Sequence, residues 1–269
     1  RPGVPNELSA TEEWINWINQ IAEAVNKVYP DRVISTNGYA NRTLPPFGVK
    51  VDPNLSIMSA AIWADNLHAY DNPLSWQAEL SGDIIQQWAQ LNDKVWLYGY
   101  DYTMLVTGLT PVPVTTKLAH DMPLLKKWGV VGFDDETRNI WAEKGISSKY
   151  LKARLEWNAN ADVNALLTDY YTKWYGAAVV PSRDFWDSLD QAMVDTPIQG
   201  HEDRIMPYVY TPQLMARLAD DVAAAQKAAV TPREKLHVEI DSLIFQHLQA
   251  YMAMSAADPH HFSFNEALL

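Results

Sequence analysis

Lys94-Val95-Trp96-Leu97-Tyr98-Gly99-Tyr100-Asp101-Tyr102 is the stretch on which the reading of this chain turns. It is a short apolar and aromatic run with little apolar/polar alternation, and it stops on polar and aromatic residues. Such strands are buried on both faces, as in a parallel sheet covered by helices. Three other segments share its form: Arg32 to Tyr39, Leu55 to Trp63, and Gly129 to Phe133. Each is followed by a polar or aromatic stretch, namely Tyr39 with Asn41, Trp63 to His68, and Asp134 to Glu136. In a (β/α)8 barrel the active site is built from those C-terminal strand ends. The residues supply four such strands, half a barrel.

Working outward, residues 10–29 predict an amphipathic helix with Trp14, Trp17, Ile18, Ile21, Val25 and Val28 on one face. Ser9 and Glu12 have capping-box spacing, and Pro30 stops the helix. Residues 40–54, with Pro45, Pro46, Gly48 and Pro53, predict a loop long enough to connect parallel strands. Helices are predicted over 74–91 and 115–128. Beyond residue 147 the pattern is helical throughout, at 147–158, 162–175, 181–194, 211–229 and 232–256, punctuated by Gly176, Pro181, Pro197, Gly200 and Pro232. The expected class is therefore α/β, with barrel βα units over 1–145 followed by an all-α helical domain over 146–269.

Composition narrows the function classes. The 269 residues carry 21 Lys+Arg against 33 Asp+Glu, a net charge of −12 that opposes binding to nucleic acid or anionic membrane surfaces. Without cysteine there is no disulfide, thiol nucleophile or thiolate-bound zinc. No apolar run approaches the roughly 18–20 residues that span a bilayer. No leader is evident, and the first residue is Arg1 rather than Met, so a fragment of a longer protein is expected. The seven histidines lack ligand spacing: His237 and His247 lie ten apart and His260-His261 sit in the tail. With no Gly-x-Gly-x-x-Gly, Walker or Gly-x-Ser-x-Gly sequence, neither a metal, nor a nucleotide cofactor, nor a serine-hydrolase elbow is expected. The 11 Trp and 13 Tyr, against 6 Phe, point instead to sugars, because an indole or phenol offers an apolar face with a polar handle.

Several blocks carry a family resemblance: Ala24-Val25-Asn26-Lys27-Val28-Tyr29-Pro30-Asp31, Trp96 to Tyr102, Trp128-Gly129-Val130-Val131-Gly132, and Tyr150-Leu151-Lys152-Ala153-Arg154-Leu155-Glu156-Trp157-Asn158. The last are Ala161-Asp162-Val163 and Tyr171-Thr172-Lys173-Trp174-Tyr175-Gly176. From Trp14 to Gly176 the chain resembles the second half of a glycoside-hydrolase-like family, domain of unknown function 4838, which overlaps glycoside hydrolase family 163. The resemblance implies the C-terminal part of a TIM-like barrel, strands five to eight, followed by helices. It implies an endo-β-N-acetylglucosaminidase-like enzyme acting on N-glycans, by a retaining two-carboxylate or acetamido-assisted mechanism. It also implies an acid pair after the fourth strand, which would lie upstream of Arg1. The expected partners are then an oligosaccharide substrate and an N-terminal barrel segment from the same gene. The expected setting is a bacterial secreted, periplasmic or cell-surface one.

Glycoside hydrolysis needs two carboxyl groups across the scissile bond, one with a raised pKa. The catalytic candidates within this chain are Glu136 and Asp101, at the ends of the fourth and third strands. The substrate-binding candidates are Tyr39, Trp63, Asp65, His68, Tyr98, Tyr100, Tyr102 and Asp135. Tyr98, Tyr100 and Tyr102 share one strand face by alternation. Each has a plainer alternative: Asp134 and Asp135 could cap the next segment or pair with Arg138, and the aromatics could be core. Two other functions stay open, a non-catalytic glycan-binding or scaffold protein, and an α-rich interaction domain with Trp63 and Tyr100 fully buried.

Overall fold

A computed structural model describes residues 9–100, 110–135, 145–200 and 203–258. In chain order the elements are α1 (Thr11–Asn26), β1 (Ile34–Tyr39), β2 (Leu55–Ala60), α2 (Trp76–Leu91), β3 (Val95–Gly99), α3 (Thr115–Trp128) and β4 (Val130–Asp135). Then come α4 (Ile146–Trp157), α5 (Val163–Tyr175), α6 (Val179–Asp195), α7 (Pro212–Ala228) and α8 (Pro232–Ala257). The four strands make one parallel sheet in the order β1-β2-β3-β4. The chain is thus a mixed α/β protein, mostly helical, with the predicted elements in the predicted order.

Strand alternation sorts the side chains onto two faces. The first carries Ile34 and Thr36, then Leu55 and Ile57, then Val95 and Leu97, then Phe133 and Asp135, in register across the sheet. Helices α1, α2 and α3 all pack there. Ile15, Ile18 and Ala22 of α1 and Ile84 and Trp88 of α2 join Leu55 and Ile57 in one core. Ile85 of α2 and Leu118, Met122 and Leu125 of α3 join Leu97 in a second, which runs on through α4 to Tyr251 of α8. The other face carries Ser35, Asn37 and Tyr39, then Ser56, Met58 and Ala60, then Trp96 and Tyr98, then Gly132 and Asp134. It is partly open to solvent: Ser35, Asn37 and Asp134 are exposed. Trp96 is 38% exposed. Gly132 is needed beneath it, because a Cβ there would overlap the Trp96 indole.

Local departures from the sequence reading have physical causes. The Ser9–Glu12 capping box does not form; Ala10 occupies the N-cap of α1. The Glu12 carboxylate instead accepts hydrogen bonds from the backbone N–H of Phe47 and Gly48, both at 2.7 Å, and so ties the β1–β2 loop to α1. The buried stripe of α1 is Thr11, Ile15, Ile18 and Ala22, while Trp17 lies on Trp14 at the surface, ring centroids 4.9 Å apart. β2 ends at Ala60 rather than Trp63, since its pairing with β3 stops at Ser59. The start of α3 has no cap of its own; Asp190 of α6 supplies one, accepting from the N–H of Thr115 at 2.6 Å and of Thr116 at 3.1 Å. α7 and α8 begin on Thr211 and Thr231, each followed by a proline at the first helical position, where the missing N–H costs nothing. No helix among the described residues is long and apolar enough to cross a membrane.

Candidate functional site

The strand ends of β3 and β4 bring two of the candidates, Tyr98 and Tyr100, together. Tyr98 and Tyr100 are half-buried, with ring centroids 5.2 Å apart in an edge-to-face arrangement. Asp134 sits directly across the register from Tyr98, on the open face, and is exposed. Asp135, one residue on, turns to the helix face, where its Oδ1 lies 2.5 Å from Lys152 Nζ of α4. Lys152 is buried, with its ammonium 5.5 Å above the Phe133 ring centroid. Gly99 makes this approach possible, because a Cβ there would collide with the Asp135 carboxylate. An ammonium taken out of water needs a carboxylate partner. Asp135 therefore joins α4 to the sheet, and Asp134 is the carboxylate that faces outward. Sequence reasoning ranked the two the other way; the register signal that separates them is strand alternation, with Asp134 in phase with Gly132.

Trp63, Asp65 and His68 form a different structure. Trp63 is 6% exposed and packs in the core of α1, β2 and α2, so its indole offers no face to solvent. Asp65 and His68 are both buried. His68 Nδ1 lies 2.5 Å from Asp65 Oδ2, and His68 Nε2 donates to the Thr196 carbonyl at 2.7 Å. Asp65 Oδ1 accepts from the Leu67 N–H at 2.8 Å. Burial by itself would lower the His68 pKa, but the Asp65 carboxylate and the Thr196 carbonyl outweigh it and raise the value above the ordinary 6.5. With both ring nitrogens engaged inside the protein, the pair ties the β2–α2 loop to the segment after α6. The sequence signal for it is the Asp-x-x-His spacing of Asp65-Asn66-Leu67-His68. Tyr39 ends β1 on the open face and is half-buried. Asp101, Tyr102 and Glu136 lie outside the described residues.

One hollow adjoins these strand ends, and a second lies beside the β2–α2 loop. A narrow one of about 20 Å3 lies between Ser59, Asp65, Tyr70, Tyr98 and Tyr100. A larger one, about 390 Å3, lies where the β2–α2 loop meets α3, lined by Leu67, Asp71, Asn72, Thr116, Lys117 and His120. His120 Nε2 is 2.6 Å from Asp71 Oδ1 at its rim, both side chains half-exposed. Below, Lys117 Nζ pairs with Asp121 Oδ2 at 2.9 Å and lies 4.7 Å over the Tyr70 ring. The volume falls in the range of small-ligand sites, roughly 300–1,000 Å3. Nothing in the sequence marked it, because its walls come from segments about 50 residues apart that carry no motif.

Residues 6–187, more than half of the chain, match a family model described as a domain of unknown function, DUF4838. No curated protein and no solved structure matches the chain.

Proposed function

The chain belongs to the DUF4838 family, and from that footing we propose that it is part of a glycoside hydrolase acting on β-linked N-acetylglucosamine-containing glycans. The observation that carries the reading is the open face of the parallel sheet, where Tyr98, Asp134 and the rim residue Tyr39 gather toward the C-terminal strand ends. Phenol rings give sugars an apolar contact, and an exposed carboxylate accepts from their hydroxyls. Glu136 directly follows β4 and Asp101 lies two residues beyond β3, so they are the carboxyl groups assigned to the reaction within this chain. One would protonate the leaving oxygen, and the other would act as nucleophile or stabilise the positive charge on the sugar, the retaining arrangement. An acetamido-assisted route would replace the nucleophile with the substrate's own carbonyl. A link to glycoside hydrolase family 163 is part of the same proposal.

The same reading makes the sheet part of a TIM-like barrel. Strictly sequential strand order, with α1, α2 and α3 all on one face, is the progression of a closing barrel; a doubly wound sheet reverses its order and puts helices on both faces. Further βα units, supplied by an N-terminal segment of the same gene, would cover Trp96 and the open face. The test is incubation of the full-length gene product with an N-glycan and with a β-linked N-acetylglucosamine oligosaccharide, read by mass spectrometry of products and calorimetric binding. Release of a shorter glycan is expected, lost in Glu136→Gln or Asp101→Asn. Binding without release establishes the non-catalytic glycan-binding alternative, and neither binding nor release overturns both.

A further inference from the structure

The hollow of about 390 Å3 has three walls: the β2–α2 loop, with Leu67, Ala69 and Pro73; α3, with Lys117 and His120; and Val194 near the end of α6. Each wall is tied to the other two. His68 of the loop bonds the Thr196 carbonyl just after α6, at 2.7 Å. The Tyr70 N–H donates to Asp121 Oδ1 of α3 at 3.1 Å. The Asp190 carboxylate of α6 caps the first N–H groups of α3. The frame is therefore preformed, and a ligand entering it has no loop to order first. None of the lining residues belongs to a strand, so the hollow is separate from the open sheet face to which the glycan is assigned.

Its charges decide what it can hold. Lys117 is already neutralised: its ammonium lies 2.9 Å from Asp121 Oδ2 and 4.7 Å over the Tyr70 ring, with the side chain 4% exposed. At the rim, His120 Nε2 is 2.6 Å from Asp71 Oδ1, and both side chains are half-exposed. A carboxylate only accepts, so Nε2 carries the proton, and in a neutral imidazole Nδ1 is then an acceptor, as is the second oxygen of Asp71. We propose that this pocket binds a small primary amine, its ammonium on the Asp71–His120 pair and its apolar body between Leu67, Pro73 and Val194. An ammonium brings donors and one positive charge to a rim of acceptors and one carboxylate. The net charge of −12 attracts cations to the surface and opposes anions. A ligand carboxylate or phosphate would meet Asp71 as a like charge. A sugar would find no stacking surface, because no Trp, Tyr or Phe among the described residues lines the hollow.

Benzylamine, benzyl alcohol and benzoate share one ring and differ in charge, so together they test the assignment. Each is titrated calorimetrically into the full chain at about pH 8 and about 0.15 M salt. Benzylamine should bind roughly tenfold more tightly than benzyl alcohol, the worth of one charge-assisted hydrogen bond, and benzoate should give no measurable heat. Asp71→Asn replaces a half-exposed side chain and should leave the thermal midpoint almost unchanged while bringing benzylamine down to the level of the alcohol. No heat with benzylamine, binding no tighter than that of the alcohol or benzoate, or an affinity unchanged in Asp71→Asn overturns the proposal. Crystals soaked in para-bromobenzylamine locate the ligand without any variant: an anomalous peak between Leu67 and Val194 supports the assignment, and bromine found only elsewhere overturns it. Neither result depends on whether the sheet binds or cleaves a glycan.

Discussion

Asp134 and Asp135 are consecutive residues with opposite surroundings, one exposed beside Tyr98 and the other 2.5 Å from the buried Lys152 ammonium. Their neutral variants should separate accordingly. Asp134→Asn should change stability by less than about 0.5 kcal/mol while weakening glycan binding; Asp135→Asn should cost about 3 kcal/mol, because a buried charge loses its carboxylate. Urea unfolding of both, beside calorimetric binding, distinguishes them. The Asp65–His68 pair makes a second prediction at this scale. His68 has a folded pKa raised above the ordinary 6.5, so its contribution is complete below about pH 6.5 and is lost as the pH rises through the folded value. Asp65→Asn should remove about 3 kcal/mol near pH 6, and unfolding measured from pH 6 to 9 should show a smaller pH dependence than in the parent. A parent protein whose stability rises over that interval would contradict the raised His68 pKa. The chemistry of these residues was legible in the sequence; their orientation was not. Asp65 and His68 look like strand-end polar residues until a carbonyl 128 positions away in the chain closes on His68 Nε2.

The elements were largely legible, because periodicity and punctuation act over a few residues. α3 starts and ends where the spacing predicts, and α5 ends at Tyr175, where Gly176 adopts a positive φ of 52°. The misses come from tertiary competition. Glu12 has the capping-box position, yet Phe47 and Gly48 are loop amides with no strand to pair with, and they take its carboxylate. By contrast Thr231 and Glu234 do form a reciprocal capping box on α8. Removing it with Thr231→Ala should cost about 1 kcal/mol and lower the thermal midpoint by a few degrees. Because Val238, Phe245, Leu248 and Tyr251 of α8 belong to the larger core, the loss should appear in global unfolding and not only as fraying of one helix; exchange confined to the first turn of α8 would say otherwise.

At the scale of the molecule, the larger core is continuous from Leu97 of β3 through α3 to Tyr251 of α8, so the sheet and the helical half share apolar surface. A chain cut after residue 145 leaves Leu118, Met122 and Leu125 without Leu151, Leu155 and Leu189 against them. That fragment should show no cooperative thermal transition and rapid proteolysis, while the intact chain unfolds in one step; a folded, protease-resistant fragment would show the halves to be independent. The sequence by itself determined the element types, the parallel α/β class, the helical C-terminal half and the DUF4838 membership, since these rest on local patterning and on residues read in order. Only the tertiary structure decided which face of each strand meets the helices. It alone decided that Asp135 and His68 are tied inside while Asp134 and Tyr98 face outward, and that Asp71 and His120 meet at the rim of one pocket. Those facts depend on register and on contacts between residues far apart in the chain, which no short-range pattern encodes.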